Sequence, residues 1–230
     1  MESGQVDVCV ALGALMDVSY WEGLAFRAMG AMGSDRFADS PALACRPFDQ
    51  DRNGFIFGEA CGAIVVEREG ARGGQAAPYA RFRGGAVAMD GNRNPNPSLE
   101  GEKRVIAATL REAGLLASSI DYVNPHGTGS PIGDEIELQA LKECKLEHAW
   151  INATKSITGH GLSAAGIVEV IATVLQMKKG QLHPTRNLVR PIDGSFNWVR
   201  EQSVAHPIRA ALSLSMGFGG ISSAICLQPC

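Results

Sequence analysis

Apolar positions in this chain fall into short blocks whose period changes between two and about 3.6 residues. Val6 to Leu12 is apolar, β-branched and stopped by Gly13, which predicts a buried strand. Residues 19–31 predict a short, irregular helix or loop, because Gly23 and Gly30 interrupt the pattern. Residues 34–53 are polar and contain proline, as a surface loop does, and Gly54 to Glu67 holds a second strand in AIVVE. A Gly/Ala-rich turn is expected over 70–78, a strand over Tyr79 to Met89 and a loop over 90–99. Val105, Ile106, Leu110 and Ala113 have helical spacing, which predicts a helix over Glu100 to Leu116. Ile120 to Asn124 then predicts a strand, 132–144 an amphipathic helix and Trp150 to Thr154 another strand. Ser163 to Lys178 is apolar nearly all round and predicts a buried helix; strands at 209–215 and 221–227, joined at GFGG, close the chain.

From about residue 79 strands alternate with helices, which argues for an α/β layered fold with a mainly parallel sheet. Before residue 70 only two clear strands appear, a half-built layer. The chain has 230 residues, 45% of them hydrophobic and 20% charged, enough for a real core and too apolar for a disordered chain. The apolar stretches are interrupted well before the roughly 18 residues a membrane span needs. A net charge of −3, from 21 basic and 24 acidic residues, offers no footprint for nucleic acid. No basic and apolar leader opens the sequence, so a cytoplasmic setting is expected. The six cysteines form no CxxC pair and match no zinc module, so they read as reduced thiols.

Chemistry concentrates in three glycine-bearing clusters. Asn124-Pro-His-Gly-Thr-Gly-Ser-Pro-Ile-Gly-Asp-Glu-Ile-Glu137 follows a strand and opens a helix, placing His126 at a strand's carboxyl end, where α/β sheets bind ligands. Asn152 to Gly166 repeats the arrangement with Lys155 and His160, and Ser213 to Gly220 carries Phe218 at a tight turn. Singly, each reads as an ordinary loop with a satisfied histidine or core phenylalanine. Three on strand-end loops point to one shared site. Two neutral imidazoles can donate N–H groups to a developing oxyanion such as a thioester enolate. Lys155 and Glu137 would form a buried charged pair that positions them. Asp134 is expected to cap its helix rather than touch substrate. A metal site is disfavoured, since no third ligand has readable spacing and His183 and His206 are not placed to help.

The motifs HGTGSPIGDEIE, TKSITGHGLSAAG and MGFGG, with RPFDQDRNGFIFGEACGAIVVE upstream, resemble in order the signatures of β-ketoacyl synthases, the condensing enzymes of fatty acid and polyketide assembly. The resemblance implies a thiolase-like layered α/β fold of two related halves, usually dimeric. It also implies an active site in which His126, His160, Lys155 and Glu137 are catalytic and Phe218 gates the substrate. No metal or bound cofactor is implied; the substrate would ride on the phosphopantetheine of an acyl carrier protein, with Thr128, Ser130, Thr154 and Ser156 as hydrogen-bond partners of that arm.

The family's nucleophilic cysteine lies in an Asp-Thr-Ala-Cys-Ser-Ser type turn, and none of the six cysteines here sits in one. The expectation is therefore an incomplete thiolase-like chain without the nucleophile, with residues 1–70 ending the N-terminal half and 71–230 forming the C-terminal half. An N-terminal ketosynthase half, on a separate subunit or on the rest of a longer chain of which this is a fragment, would supply the missing layer in a homodimer or heterodimer. Ser19-Tyr-Trp-Glu and Arg27 to Phe37 are similar to the ketosynthase-like decarboxylases of polyketide assembly. The favoured expectation is decarboxylation of malonyl-acyl carrier protein, with condensation only if a partner half supplies the cysteine. The rival is a non-catalytic subunit that completes a ketosynthase and docks the carrier protein.

Overall fold

The computed structural model describes residues 4–71, 77–91 and 96–230; positions 72–76 and 92–95, inside the turn and loop expected over 70–78 and 90–99, lie outside the described residues. In chain order the elements are β1 (Val8–Gly13), α1 (Tyr20–Ala28), β2 (Gly62–Glu67), β3 (Arg81–Met89), α2 (Leu99–Ala113), β4 (Tyr122–Asn124), α3 (Pro131–Glu143) and β5 (Trp150–Ile151). Then follow α4 (Lys155–Thr158), α5 (Ala165–Lys179), β6 (Gln181–Leu182), β7 (Asn197–Trp198), β8 (Val204–Ala205), β9 (Ala211–Gly217) and β10 (Ile221–Gln228).

Six strands form one sheet in the order β3-β10-β9-β4-β5-β7. It is mixed with a parallel majority, as expected: β9, β4, β5 and β7 run parallel, while β10 alone is reversed, antiparallel to both β9 and β3. The short turn at Gly217–Ile221 leaves β9 and β10 no room for a crossover, so they must pair as a hairpin. Side chains alternate across the sheet. Val123 and Leu212 join the core under α2 and α3, with Ile106, Leu110 and Leu141. Their neighbours Tyr122 and Ala211 join the opposite core, with Met177 of α5.

Helix α5 lies between this sheet and the antiparallel pair β1–β2. Gly13 and Gly62, opposite one another in that pair, make the approach possible. A Cβ on Gly13 would sit 2.3 Å from Ile167 Cγ2, and one on Gly62 2.9 Å from Ile171 Cδ1. The expectation that α5 is buried all round is corrected. Its buried residues are Ala165, Glu169, Thr173, Gln176 and Met177, so a polar stripe faces the sheet, whereas most of its apolar side chains are only half-buried and Leu175 is exposed. The reason is that among the described residues two strands cover its other side, and they leave Val8, Val10, Leu12 and Val65 exposed as well.

Three further expectations change. Residues 20–28 form a regular helix, because Ser19 and Glu22 build a capping box: Glu22 N donates to Ser19 Oγ at 3.3 Å and Ser19 N to Glu22 Oε2 at 2.9 Å. The segment 34–53 is not a surface loop throughout, since Arg46, Phe48, Asp49 and Arg52 are buried. Asp49 makes this possible by accepting from Arg46 Nε at 3.1 Å, Asp51 N at 2.9 Å, Val189 N at 2.9 Å and Arg190 N at 2.7 Å. Helix α2 ends before Leu116, because Gly114 takes a left-handed φ of 66° as its C-cap.

Candidate active site

Parallel strands β4 and β5 end side by side, and each delivers one histidine loop at its carboxyl end. After β4 the chain turns sharply through Gly127, φ +41°, where a Cβ would meet Phe48 Cε2 at 2.7 Å. Ser130 Oγ caps α3 by accepting from Gly133 N at 3.3 Å, and Pro131 follows at the first helical position. The buried carboxylate of Glu137 reaches back to the loop and accepts from His126 N at 2.6 Å and Gly127 N at 2.8 Å. Asp134 does not cap its own helix. It accepts from Thr128 N at 3.2 Å, Gly129 N at 3.0 Å and Phe48 N at 2.6 Å, tying the loop to the buried segment upstream.

After β5, Lys155 opens α4 and is almost wholly buried. Its ammonium donates to His126 O at 2.5 Å, lies 3.3 Å from His126 Nδ1 and forms an ion pair with Glu169 of α5. The expected Lys155–Glu137 pair is thus corrected. Glu137 is engaged by backbone N–H groups, and the counter-charge comes from the polar stripe of a helix that reads as apolar. Past Gly159, whose φ is +71°, His160 is held against the segment 56–58: His160 N donates to Ile56 O at 2.7 Å and Gly58 N to His160 O at 3.2 Å.

The rings of His126 and His160 stand edge to face with centroids 5.3 Å apart. Hydrogen bonds set their tautomers. Leu162 N donates to His160 Nδ1 at 3.2 Å, so the His160 proton sits on Nε2. The charged Lys155 has only hydrogens to offer His126 Nδ1, so that ring also carries its proton on Nε2. Both imidazoles are kept neutral. Burial, then the neighbouring Lys155 charge, pushes His160 down to about 3. Burial, Lys155 and His160 hold His126 well below its ordinary range. Burial lifts the Glu169 carboxyl to about 7 against the pull of Lys155.

Phe218 sits on the β9–β10 turn, about half exposed, and begins a row of rings. It packs on Phe26 at 5.9 Å, Phe26 on Phe55 at 5.5 Å, and Phe55 edge-on to His160 at 5.2 Å. Phe26 and Phe55 were not among the expected site residues. Nor was Glu169, whose carboxylate inside the apolar run of α5 was the available signal. Of the four hydroxyl residues assigned to the carrier arm, Thr154 and Ser156 are turned into the fold. Ser156 Oγ donates to Ala153 O at 2.7 Å and accepts from Arg186 N at 2.9 Å, and Thr154 Oγ1 accepts from Asn124 Nδ2 at 2.7 Å. Thr128 Oγ1 accepts from Ser130 N at 3.1 Å, and Ser130 is the most open of the four. Cys45 donates to Lys155 O at 2.9 Å, and burial raises its thiol to about 11, the reverse of what a nucleophile needs. Among the described residues no group of three His, Cys, Asp or Glu side chains is placed to hold a metal ion.

Two sequence-family models match the chain: "Beta-ketoacyl synthase, N-terminal domain" over residues 1–71 and "Beta-ketoacyl synthase, C-terminal domain" over residues 79–189. The chain is 64% identical over 227 residues to the polyketide biosynthesis malonyl-ACP decarboxylase PksF of Bacillus subtilis (strain 168), an alignment covering 98% of this chain and 55% of that protein. It is 34% identical to the chloroplastic 3-oxoacyl-[acyl-carrier-protein] synthase I of Hordeum vulgare, covering 98% of this chain and 50% of that one. Among solved structures it superposes on the ketosynthase complex of a type II PKS acyl-carrier protein, bound to the hexaketide, with a TM-score of 0.92 and 30% identity. That alignment covers 99% of this chain and 57% of that chain. The chain spans about half the length of the curated relatives it matches.

Proposed function

The chain belongs to the β-ketoacyl synthase family and has its thiolase-like fold, and from that premise we propose that it decarboxylates a malonyl group carried by an acyl carrier protein. The observation that carries the reading is the pair of neutral imidazoles, His126 and His160, each with Nδ1 engaged and its proton on Nε2.

The chemistry follows from that geometry. The bond between the malonyl α-carbon and its carboxylate breaks, CO2 leaves, and the electron pair passes into a thioester enolate. The new negative charge gathers on the thioester oxygen, where two preorganised N–H donors stabilise it more than they stabilise the neutral ground state. A proton from solvent on the α-carbon completes an acetyl thioester. Neutral donors suit this step, because a doubly protonated imidazole would instead pair with the substrate carboxylate and resist its loss. Lys155 holds His126 in its tautomer, Glu169 neutralises Lys155, and Glu137 fixes the turn that aims the ring. Phe218 stands at the outer end of the aromatic row, as a gate for the substrate, and Thr128 and Ser130 face the carrier arm. Thr154 and Ser156 pass from that role to the internal network.

The proposed partners are the carrier protein and the ketosynthase half that covers the apolar sides of β1, β2 and α5, in a cytoplasmic dimer. Condensation follows only where that half supplies a nucleophilic cysteine. The test is intact-mass analysis of malonyl-acyl carrier protein incubated with the purified protein and any co-purifying polypeptide. Conversion to the acetyl form without an acyl donor, abolished by His160→Ala, is expected. A folded protein that leaves the malonyl form unchanged would favour the subunit that only completes a ketosynthase.

A further inference from the structure

Beneath the histidine loops lies a buried hydrogen-bond chain that the decarboxylation step does not itself use. Asn124 Nδ2 donates to Thr154 Oγ1 at 2.7 Å and to Tyr122 Oη at 3.0 Å. Tyr122 Oη donates to Asn152 Oδ1 at 2.6 Å and accepts from Gln176 Nε2 at 2.9 Å. Asn152 Nδ2 donates to Gln176 Oε1 at 2.8 Å and to His183 O at 2.6 Å, and His183 N donates to Gln176 Oε1 at 2.9 Å. The His183 ring closes the chain, with Nε2 3.2 Å from Thr154 Oγ1 and Nδ1 3.0 Å from Pro184 O. A carbonyl can only accept, so Nδ1 carries the His183 proton. Nε2 is then a bare acceptor, and the Thr154 hydroxyl must donate to it. Burial keeps this ring neutral by lowering its affinity for a second proton.

The position of these residues in the chain gives the network a consequence. Asn124 lies two residues before His126, and Thr154 immediately precedes Lys155. Lys155 in turn holds both His126 O and His126 Nδ1. The Asn124–Thr154 bond therefore closes a ring: backbone from Asn124 to His126, ammonium contact to Lys155, backbone to Thr154, and a side-chain bond back. We propose that Asn124, Thr154 and His183 are a positioning relay that fixes the distance between His126 and Lys155, with His183 as the terminal acceptor that orients the Thr154 hydroxyl. Its effect on rate rests on the decarboxylase reading; its hydrogen-bond direction does not.

Two measurements test it. Long-range 1H–15N spectra of the full chain with labelled histidine report which ring nitrogen of His183 is protonated. The relay requires Nδ1–H with a bare Nε2, and a protonated Nε2 would overturn it. In the decarboxylation assay His183→Leu is expected to lower kcat on the order of tenfold with KM unchanged, because a misplaced donor costs rate rather than binding. His183→Gln, which keeps an acceptor, is expected to restore most of the loss. Equal kcat in His183→Leu and the unsubstituted protein, or a loss confined to KM, would overturn the proposal. If His183→Leu does not fold, Thr154→Val decides: the relay predicts that the His183 and His126 ring signals both move, and unchanged signals refute it. Absence of CO2 release by the unsubstituted protein counts against the decarboxylase reading alone, since the spectra decide the relay without it.

Discussion

Lys155 takes its counter-charge from Glu169, fourteen residues further along the chain, and both side chains are about 2% exposed. A buried ammonium survives only with a partner in direct contact, and the desolvation of both groups makes the pair costly to break from one side. Glu169→Ala is therefore expected to lower stability by about 3–5 kcal/mol, the range for an orphaned buried charge. Urea denaturation above the Glu169 value of about 7, where the carboxyl is ionised, measures it. A loss below about 1 kcal/mol, typical of an exposed pair, would mean that Lys155 is not held this way.

Gly58 is a second fixed point of the site, although it carries no side chain. A Cβ there would lie 2.0 Å from Thr158 O and 2.9 Å from Gly159 Cα, both backbone atoms that cannot swing aside. The same segment receives the His160 backbone. Gly58→Ala is expected to cost about 1–3 kcal/mol by overpacking and to abolish decarboxylation with both histidines still present. Thermal denaturation and the carrier-protein assay report the two effects. A variant of full activity would show that the His160 loop tolerates displacement.

Glu102 of α2 is buried, and among the described residues its Oε2 has no hydrogen-bond partner. Burial, then the nearby Glu137, pushes it up to about 9. Burial also lifts Glu137, to about 8 against the pull of its two backbone N–H donors, so of these two carboxyls Glu137 ionises first and Glu102 keeps its proton longest. Between the unfolded value of 4.5 and about 9 the folded chain binds a proton that the unfolded chain has lost, so stability falls as pH rises through that window. Glu102→Gln keeps the neutral shape without the proton. It is expected to make the decline between pH 5 and 8 shallower by about 1.4 kcal/mol per pH unit at most, the contribution of one proton. Parallel stability curves for the two proteins would show Glu102 to be ionised in the fold.

The layered α/β class and the two histidine loops were legible because strand-to-helix order and the glycines at strand ends are local signals. What stayed hidden was long-range. The antiparallel β9–β10–β3 edge depends on which strands meet, and no periodicity reports that. The burial of Phe48 and Asp49 depends on N–H donors from Val189 and Arg190, about 140 residues away in sequence. Glu169, Thr173 and Gln176 form a polar stripe thinly spread through an apolar helix, so the average hid the face that matters. The motif of Glu137 puts it in the site but not its partner, because a carboxylate's sequence position does not say whether an ammonium or two backbone N–H groups will reach it first.

Neutrality of both imidazoles over the working pH range is the condition on which the proposed chemistry stands. Burial and the Lys155 charge push His160 down to about 3 from an ordinary 6.5 and hold His126 well below that value. The ring 13C and 15N shifts of both residues are therefore expected to stay flat from pH 8 to pH 5, where an exposed histidine would titrate fully. Stability carries the same signature with the opposite sign to Glu102. Below 6.5 the unfolded chain gains a proton on His160 that the folded chain refuses, so the fold weakens as pH falls from 6.5 toward 3. His160→Gln has no such proton to gain and is expected to lose less stability over that interval. An inflection of both rings near 6.5 would instead mean that each is cationic in mild acid, and a pair of neutral N–H donors could not be what stabilises the enolate there.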